Sequence, residues 1–431
     1  MDFPRHPAVR HLACCALVLA TGFAFWLNYG LVLAGFRKNQ VSKSAPIDWR
    51  VDGIRIWGWH MKSRMEEYAK QNALFRIPFS ELNMGFRKWA GMRLFPDADN
   101  TLRLNNGYLI IPMERFDGGK YSRQIIALRD FCLGQGIPFL CVVGPYKSDR
   151  FDDQLPRGME DHCVEIVDHF VDDVTVAGVP VLDLRRRAQA CFTNSYELFF
   201  RTDHHWKPQA GFWAASQIVG ELNRQYGFGI PVSLLDSTNF DVKVFKKFFL
   251  GSLGKKVTRA YAQPDDFSLI APKFRTSLQL IVPGKSIDRT GSFQEALIEG
   301  SLVQAPNYYR QDNYYAYLQG AYSQLVVTNL LRKDGQRILM VTDSSANVVI
   351  PFLSLVLQSV EAIDLRHFAD PVYAHIEQQV PDAVVFLYAS SSFRKNAPIW
   401  VKHPLPIPDT TKAGEICGKG FEPVNSTAPA E

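Results

Sequence analysis

Short apolar segments alternate with longer amphipathic ones along the middle of this chain, and this alternation is the strongest constraint on its fold. The short segments have the apolar character of buried strands and are residues 139–143, 181–184, 338–341, 362–364 and 383–388. Helical periodicity precedes the first of them, at residues 122–133, and occurs between later ones, at residues 210–223. Short apolar strands alternating with helices are typical of a parallel sheet covered on both faces. The sequence therefore predicts an α/β protein with a mostly parallel sheet.

The composition is that of a folded protein, and it argues against one class of partner. Of the 431 residues, 47% are hydrophobic and 21% are charged, which is sufficient for one large or two ordinary domains. The formal net charge of +5 is small for this length, and no run of lysine and arginine stands out. We therefore expect no nucleic-acid partner.

A long uncharged segment lies near the N-terminus. Residues 12–36 contain no Asp, Glu, Lys or Arg, and at about 1.5 Å per residue they reach across a bilayer core of about 30 Å. We expect a transmembrane signal anchor here, with residues 1–11 in the cytoplasm and the rest of the chain outside a cell membrane. A cleaved signal peptide and a buried core helix are the alternatives.

The remainder of the chain divides by composition. We expect a membrane-proximal linker over residues 37–100, the α/β domain over 101–403 with a β-rich insertion at 225–310, and a Pro-rich tail at 404–431. The insertion is either the rim of a substrate cleft or surface decoration. The seven cysteines show no metal-ligand spacing, and no cofactor is expected.

Residues 201–206 read Arg-Thr-Asp-His-His-Trp and have the character of half a catalytic triad. In an extended segment, Asp203 can accept the Nδ1–H of His205, which leaves Nε2 free to take a proton from a hydroxyl. A metal site is an alternative, but adjacent histidines point to opposite sides of an extended segment and no second ligand motif accompanies them. No metal site is therefore predicted.

The nucleophile that this half-triad requires is expected at a strand end. Residues 337–342 read as an apolar strand that enters Asp343-Ser344, and residues 348–359 read as an apolar helix. A serine between a strand and a helix N-terminus is presented at the carboxyl edge of a sheet, where the helix dipole favours a developing oxyanion. The sequence thus predicts Ser344 as nucleophile, His205 as general base and Asp203 as its orienting carboxylate.

These motifs resemble a known family. The blocks that carry the resemblance are residues 142–148, 202–206, 249–254, 314–320, 343–347, 351–353 and 363–366. In this order they resemble the DHHW family, which is related to the SGNH hydrolase-like domain of alginate O-acetyltransferases. The resemblance implies an SGNH-hydrolase-like three-layer fold. Relatives often have Gly where this chain has Thr342, and an aromatic residue where it has Ser345, so both serines are candidate nucleophiles and the alignment of Asp343 favours Ser344.

Supporting roles follow for residues near these motifs. Gly320, Asn347 and the Ser344 amide are candidate oxyanion donors, and Asp343 is expected to bind the amides of the turn. The candidate substrate contacts are His204, Trp206 and Lys147. Alternative readings are packing for Trp206 and Asn347 and solvation for Lys147. Asp364 and Arg366 are expected to form a buried ion pair.

The resemblance implies a membrane-anchored, extracytoplasmic O-acetyltransferase that modifies a polysaccharide through a serine acyl-enzyme. Its implied partners are a membrane-bound O-acyltransferase that supplies acetyl groups and the polysaccharide acceptor. Two other hypotheses stay open. One is a carbohydrate or lipid esterase, and the other is a noncatalytic glycan-binding assembly protein, which the departures at Thr342 and Ser345 motivate.

Overall fold

The computed structural model describes residues 76–148 and 152–395. The chain divides into two compact units, Met1–Met92 and Arg93–Glu431. In the first unit the described residues form helix α1 (Arg76–Trp89). All elements discussed below belong to the second unit.

Several predicted segments lie outside the described residues: the N-terminus 1–11, the anchor 12–36, most of the linker and the tail 404–431. Among the residues that are described, no helix is both long enough and apolar enough to cross a bilayer.

The second unit alternates strands and helices, as the sequence predicts. The strands are β1 (Leu94–Phe95), β2 (Thr101–Arg103), β3 (Leu109–Ile110), β4 (Phe139–Gly144), β5 (Val181–Asp183), β6 (Phe240–Phe249), β7 (Asp265–Pro272), β8 (Leu278–Val282), β9 (Ile287–Gly291), β10 (Gln324–Asn329), β11 (Arg337–Thr342), β12 (Ser359–Asp364) and β13 (Ala383–Ala389). The α-helices are α2 (Gly119–Gly134), α3 (Cys163–Val176), α4 (Leu184–Cys191), α5 (Pro208–Tyr226), α6 (Ser252–Tyr261), α7 (Phe293–Leu297), α8 (Ile350–Leu353) and α9 (Val372–Gln379).

The main sheet has eight strands in the order β5-β4-β13-β11-β12-β10-β8-β9. The first five strands in this order are parallel to one another, whereas β10, β8 and β9 are antiparallel to their neighbours. The α/β class is therefore confirmed, but the sheet is mixed rather than mostly parallel. Strands β8 and β9 pair as an antiparallel hairpin, because the connection from Val282 to Ile287 is much shorter than a parallel crossover needs.

Both faces of this sheet are covered, because alternate side chains of each strand point to opposite sides. In β4, Leu140 and Val142 pack in one core with α5 and α8. Phe139, Cys141 and Val143 pack in the other core with α2, α3 and α9. The carboxyl ends of five parallel strands thus meet at one edge of a sheet that is held between two layers.

The region predicted as an insertion, residues 225–310, is β-rich, but it is not a separate lobe. Strands β6 and β7 pair with each other as an antiparallel ribbon, while β8 and β9 extend the main sheet. In β8, alternate residues Leu278, Leu280 and Val282 are buried against the sheet core. Helix α6, which the sequence did not predict, begins immediately after β6.

The helix predicted over residues 348–359 is wrong in length. Ser344–Val348 form a 3-10 turn, α8 is four residues long, and β12 already begins at Ser359. Pro351 fits the first turn of α8 because it has no N–H to bond, and the Ser354 hydroxyl donates back to the Pro351 carbonyl at 2.7 Å. Burial of the whole segment, rather than helical periodicity, explains its apolar character.

Candidate active site

Ser344 lies directly after the carboxyl end of β11. The Asp343 carboxylate fixes this turn: one oxygen accepts the Ser345 amide at 2.9 Å, and the other accepts the Ala389 amide at 3.1 Å. The Ser392 hydroxyl donates to the same second oxygen. The turn that bears Ser344 is therefore tied to the end of the neighbouring strand β13, in the amide-binding role expected for Asp343.

The segment predicted to supply the base is a tight loop rather than an extended strand. Residues 201–205 bend, and Phe199 and Trp206 close the loop as an antiparallel bridge. Within it, one Asp203 oxygen accepts both the His205 amide at 2.9 Å and the His205 Nδ1–H at 2.6 Å. The loop thus brings carboxylate and imidazole together by a bend.

These two segments meet. His205 Nε2 lies 2.8 Å from Ser344 Oγ, so a hydrogen-bonded chain runs from the Asp203 carboxylate through the imidazole to the hydroxyl. Asp203 is fully buried, and His205 and Ser344 are 7% and 8% exposed. A hydroxyl hydrogen-bonded to an oriented imidazole is the arrangement that activates a serine for nucleophilic attack.

Only one of the two adjacent serines has this geometry. The Ser345 hydroxyl is buried and has no hydrogen-bond partner in the described part of the chain. Its carbonyl instead accepts the Trp206 indole N–H at 2.8 Å. The structure therefore places the base beside Ser344 and not beside Ser345.

The orienting carboxylate is held by elements far away in sequence. The Ser252 amide, at the start of α6, donates to the second oxygen of Asp203. Gly251 packs so closely that a Cβ there would lie 2.3 Å from the Asp203 Cβ. The Asp265 carboxylate accepts the amides of Arg201 and Thr202 at 2.9 Å each, which fixes the start of the loop.

Burial opposes ionisation of Asp203, yet the nearby His205 and His204 and the hydrogen bonds from His205 hold the pKa of that carboxyl well below its usual range. The carboxylate is therefore charged across the neutral pH range. A charged acceptor at Nδ1 fixes the tautomer of His205 and stabilises the imidazolium that forms when Nε2 takes a proton.

Tyr314 contacts both the base and the nucleophile turn, a role that the sequence did not predict. Its ring stacks on the His205 imidazole with centroids 4.0 Å apart and planes 12° from parallel. Its hydroxyl lies 3.1 Å from the Ser344 carbonyl and 3.2 Å from the Ser345 carbonyl. The side chain is fully buried, so it limits the rotation of the imidazole and fixes the turn beside it.

The structure separates the three predicted substrate contacts. His204 has a 41% exposed side chain, lines the cavity at Ser344 and bonds to the Ser252 hydroxyl at 2.9 Å. Trp206 also touches that cavity but is 3% exposed, and its indole N–H is bound to a carbonyl. Trp206 is therefore a packing residue, which is the alternative to the predicted substrate contact.

Lys147 does not reach the cavity with its amino group, contrary to both readings of the sequence. It is 2% exposed, and Nζ donates to the carbonyls of Leu109 and Asp203. Burial lowers the pKa of Lys147 to about 7, although the charges of Asp203 and Asp265 oppose this change. The residue supports the Asp203 backbone.

Two of the three predicted oxyanion donors, Gly320 and Asn347, lie together. The Asn347 amide donates to the Gly320 carbonyl at 2.8 Å, and Asn347 lines a cavity of about 20 Å³ together with Ser344. The predicted pair of Asp364 and Arg366 is also present, with Arg366 Nε 2.9 Å and 3.1 Å from the two carboxylate oxygens. Arg366 lines a second cavity at Ser344, of about 40 Å³.

Asp203, His204 and His205 are residue types that bind metals, and their ligand atoms lie within 4.8 Å of one another. Asp203 and His205 already use their ligand atoms in hydrogen bonds, because Asp203 accepts from His205 Nδ1 and His205 Nε2 contacts Ser344 Oγ. A metal ion here would have to displace these hydrogen bonds. The donor set therefore fits a triad better than a metal centre.

A three-layer α/β fold with serine, histidine and aspartate joined at the carboxyl edge of its sheet is the arrangement of the SGNH hydrolase-like class. Residues 120–244 match the family model described as "SGNH hydrolase-like domain, acetyltransferase AlgX". The matched residues include Asp203 and His205 and end before Ser344. No sequence among curated proteins matches this chain.

Solved structures share the fold. Bacillus cereus PatB1 with a sulfonyl adduct is 18% identical over 70% of this chain and 98% of its own, with a TM-score of 0.57. A DHHW family protein from Eubacterium siraeum is 16% identical over 71% and 95%, with a TM-score of 0.52. The resemblance predicted from the sequence is therefore confirmed.

Proposed function

We propose that this protein is an O-acetyltransferase that transfers an acetyl group to a polysaccharide through an acyl-enzyme on Ser344. The single observation that carries the proposal is the contact of His205 Nε2 with Ser344 Oγ at 2.8 Å, with Asp203 on the other ring nitrogen. The match to an acetyltransferase domain model supports the choice of acyl group.

The first half of the reaction forms the acyl-enzyme. As Ser344 Oγ attacks the acetyl carbonyl of the donor, its proton passes to His205 Nε2 and the carbonyl oxygen becomes an oxyanion. The tetrahedral intermediate collapses by breaking the bond between the acetyl carbon and the donor, and the proton on Nε2 passes to the leaving group. Asp203 stays ionised throughout.

The second half transfers the acetyl group. A hydroxyl of the acceptor gives its proton to His205 Nε2 and attacks the acetyl carbon of acetyl-Ser344. The new ester forms as the bond to Ser344 Oγ breaks, and Oγ recovers the proton from Nε2. The cavity of about 40 Å³ beside Ser344 is bounded by Pro145 and Arg366 and has room for a group about the size of an acetyl.

We further propose that the reaction takes place outside the cell membrane. The uncharged segment 12–36 supports a membrane anchor with the domain outside the cell membrane. A membrane-bound O-acyltransferase would then supply the acetyl groups, and the polysaccharide would be the acceptor.

Product analysis tests the proposal. The full-length chain is incubated with an acetyl ester, with and without glycan oligosaccharides, and O-acetylated glycan is quantified by mass spectrometry. We expect glycan acetylation that requires Ser344 and is retained in Ser345→Ala. Fast acetate release that glycans leave unchanged would indicate an esterase. Glycan binding without acetylation or acetate release would indicate a noncatalytic protein.

A further inference from the structure

A large cleft lies beside the triad, and its lining includes none of the three triad residues. Its volume is about 1000 Å³, and it opens at the carboxyl ends of β4 and β5. One strand, β13, separates β4 from β11, which bears Ser344. Pro145 lines both the cleft and the cavity at Ser344, so the two spaces share a wall. Ligands of open α/β sheets bind at this carboxyl edge.

The cleft has the mixed lining of a site for sugar rings, which have apolar faces and polar edges. Its aromatic residues are Tyr108, Tyr146, Phe192 and Tyr196. The Tyr108 and Tyr196 rings are 4.7 Å apart, and the Tyr108 hydroxyl donates to the Tyr196 carbonyl at 3.0 Å. The Tyr196 hydroxyl in turn donates to Asp152 at 2.5 Å. These contacts fix the aromatic surface before a ligand binds.

Among the described residues of the lining, negative charges predominate. Its carboxylates are Asp152, Asp153, Asp168, Asp172 and Glu197, and its guanidinium groups are Arg185 and Arg186. Arg185 pairs with Asp168 and Asp183 at 2.8 Å each, so its charge and that of Asp168 cancel. Four carboxylates of the lining then remain against Arg186. A cleft lined by one sign of charge concentrates ligands of the opposite sign and repels ligands of the same sign.

We propose that this cleft binds the acceptor chain next to Ser344, and that it selects a glycan with amino groups over a neutral one and rejects a glycan with carboxylates. The inference rests on the proposed function, because it names the acceptor class for the same site. The aromatic rings of the cleft provide affinity common to all glycans. The carboxylates of the cleft determine which glycans bind more tightly than others.

Calorimetric titration of the full-length Ser344→Ala chain tests the order, because this variant binds without turnover. The probes are tetraglucosamine, its N-acetylated neutral counterpart and tetragalacturonate, at about pH 6, where such amines are charged, and at low salt. We expect tetraglucosamine to bind about tenfold more tightly than the neutral tetramer. We expect no binding of tetragalacturonate, and binding of the uronate as tight as that of the amine would overturn the proposal.

Substitution of two exposed carboxylates tests whether the preference for amino groups arises in the cleft. Asp172→Asn and Glu197→Gln together should reduce the affinity for tetraglucosamine about tenfold and leave the neutral tetramer unchanged. Glu377→Gln is the matched control, because Glu377 is exposed on α9 outside the cleft lining. An equal loss in the control would place the amine binding elsewhere and contradict the proposal.

Failure of this inference can be told apart from failure of the proposed function. Correct binding order in Ser344→Ala, together with no acetyl transfer by the wild type, would refute the transferase alone. Acetyl transfer to uronate oligosaccharides as fast as to amine-bearing ones would refute the selectivity alone.

Discussion

The ring of Tyr314 is the contact that most directly joins the parts of this site, because it touches the imidazole of the base and the carbonyls of the nucleophile turn. Tyr314→Leu should slow the labelling of Ser344 by a serine-reactive phosphonate about a hundredfold, since the imidazole loses its stacked neighbour. Tyr314→Phe keeps the ring and should lose only about threefold to tenfold. Labelling rates measured by intact-mass spectrometry check both values.

The matched control is Tyr315→Leu. Tyr315 is the next residue and is half-buried, but its ring meets Tyr314 edge-on at 6.1 Å rather than His205. This variant should react at nearly the wild-type rate. Equal rates for Tyr314→Leu and the wild type, with both proteins folded, would show that the stack does not orient the base.

We expect Lys147 to make the stability of the fold depend on pH. Its pKa is lowered to about 7 in the folded chain, against about 10.4 in an unfolded chain. Between these values the unfolded state binds the extra proton, so the free energy of unfolding should rise with pH from about 7 to about 10, by a few kcal/mol at most. Denaturant unfolding of the wild type and of Lys147→Met at about pH 7 and about pH 9 checks this.

The quantity to compare is the difference in free energy of unfolding between the wild type and Lys147→Met, because other groups also titrate in this pH range. The wild type should gain stability relative to Lys147→Met as the pH rises, because Met carries no proton. A constant difference between the two proteins at both pH values would show that Lys147 is charged in the folded state.

At the scale of elements, the loop of Asp203 depends on the close approach of α6. A Cβ at Gly251 would lie 2.3 Å from Asp203 Cβ and 2.5 Å from Oδ2, so Gly251→Ala must displace the carboxylate. We expect at least a hundredfold loss of Ser344 labelling, comparable to other losses of catalytic geometry. The measurement is the same phosphonate labelling, with circular dichroism to confirm the fold.

Gly220→Ala provides the control for this substitution. Gly220 lies in α5, and no atom lies within 4 Å of a Cβ added there. Alanine also has the higher helix propensity. This variant should label at the wild-type rate, and wild-type labelling of Gly251→Ala would contradict the role assigned to the α6 contact.

The sequence predicts those elements whose signal is local. The strands β4, β11 and β13 are continuous apolar runs, and the structure has them within a residue or two of the predicted bounds. Helix α3 was not predicted, because its sequence is rich in β-branched residues and only tertiary packing makes it helical. The apolar run after Ser344 predicts a long helix, which is wrong. A segment that is buried on all sides is apolar whether it forms a helix or a turn, so its pattern does not distinguish the two.

The same distinction holds for the site. Asp203, His205 and Ser344 could be predicted because motif spacing and strand-end chemistry are visible in the sequence. Tyr314 and Asp265 act through contacts with residues far away along the chain, and no periodic pattern in the sequence predicts such contacts. The bend of the 201–206 loop was also not predictable, because a separation of two positions between Asp203 and His205 is compatible with an extended segment as well.

At the scale of the whole molecule, the sheet determines where chemistry can occur. The parallel strands β5, β4, β13, β11 and β12 bring Ser344, the Asp364 and Arg366 pair and the acidic cleft to one edge. The antiparallel strands β10, β8 and β9 extend the sheet on the other side. The sequence missed this division because β8 and β9 lie within the segment read as an insertion.

Peptide mass spectrometry after brief incubation with an acetyl ester shows whether Ser344 becomes acylated, as this mechanism requires. We expect an acetyl group on Ser344 in the wild type and in Ser345→Ala, strongly reduced acetylation in His205→Ala, and none in Ser344→Ala. Acetylation of Ser345, or acetylation of Ser344 that persists unchanged in His205→Ala, would contradict this mechanism.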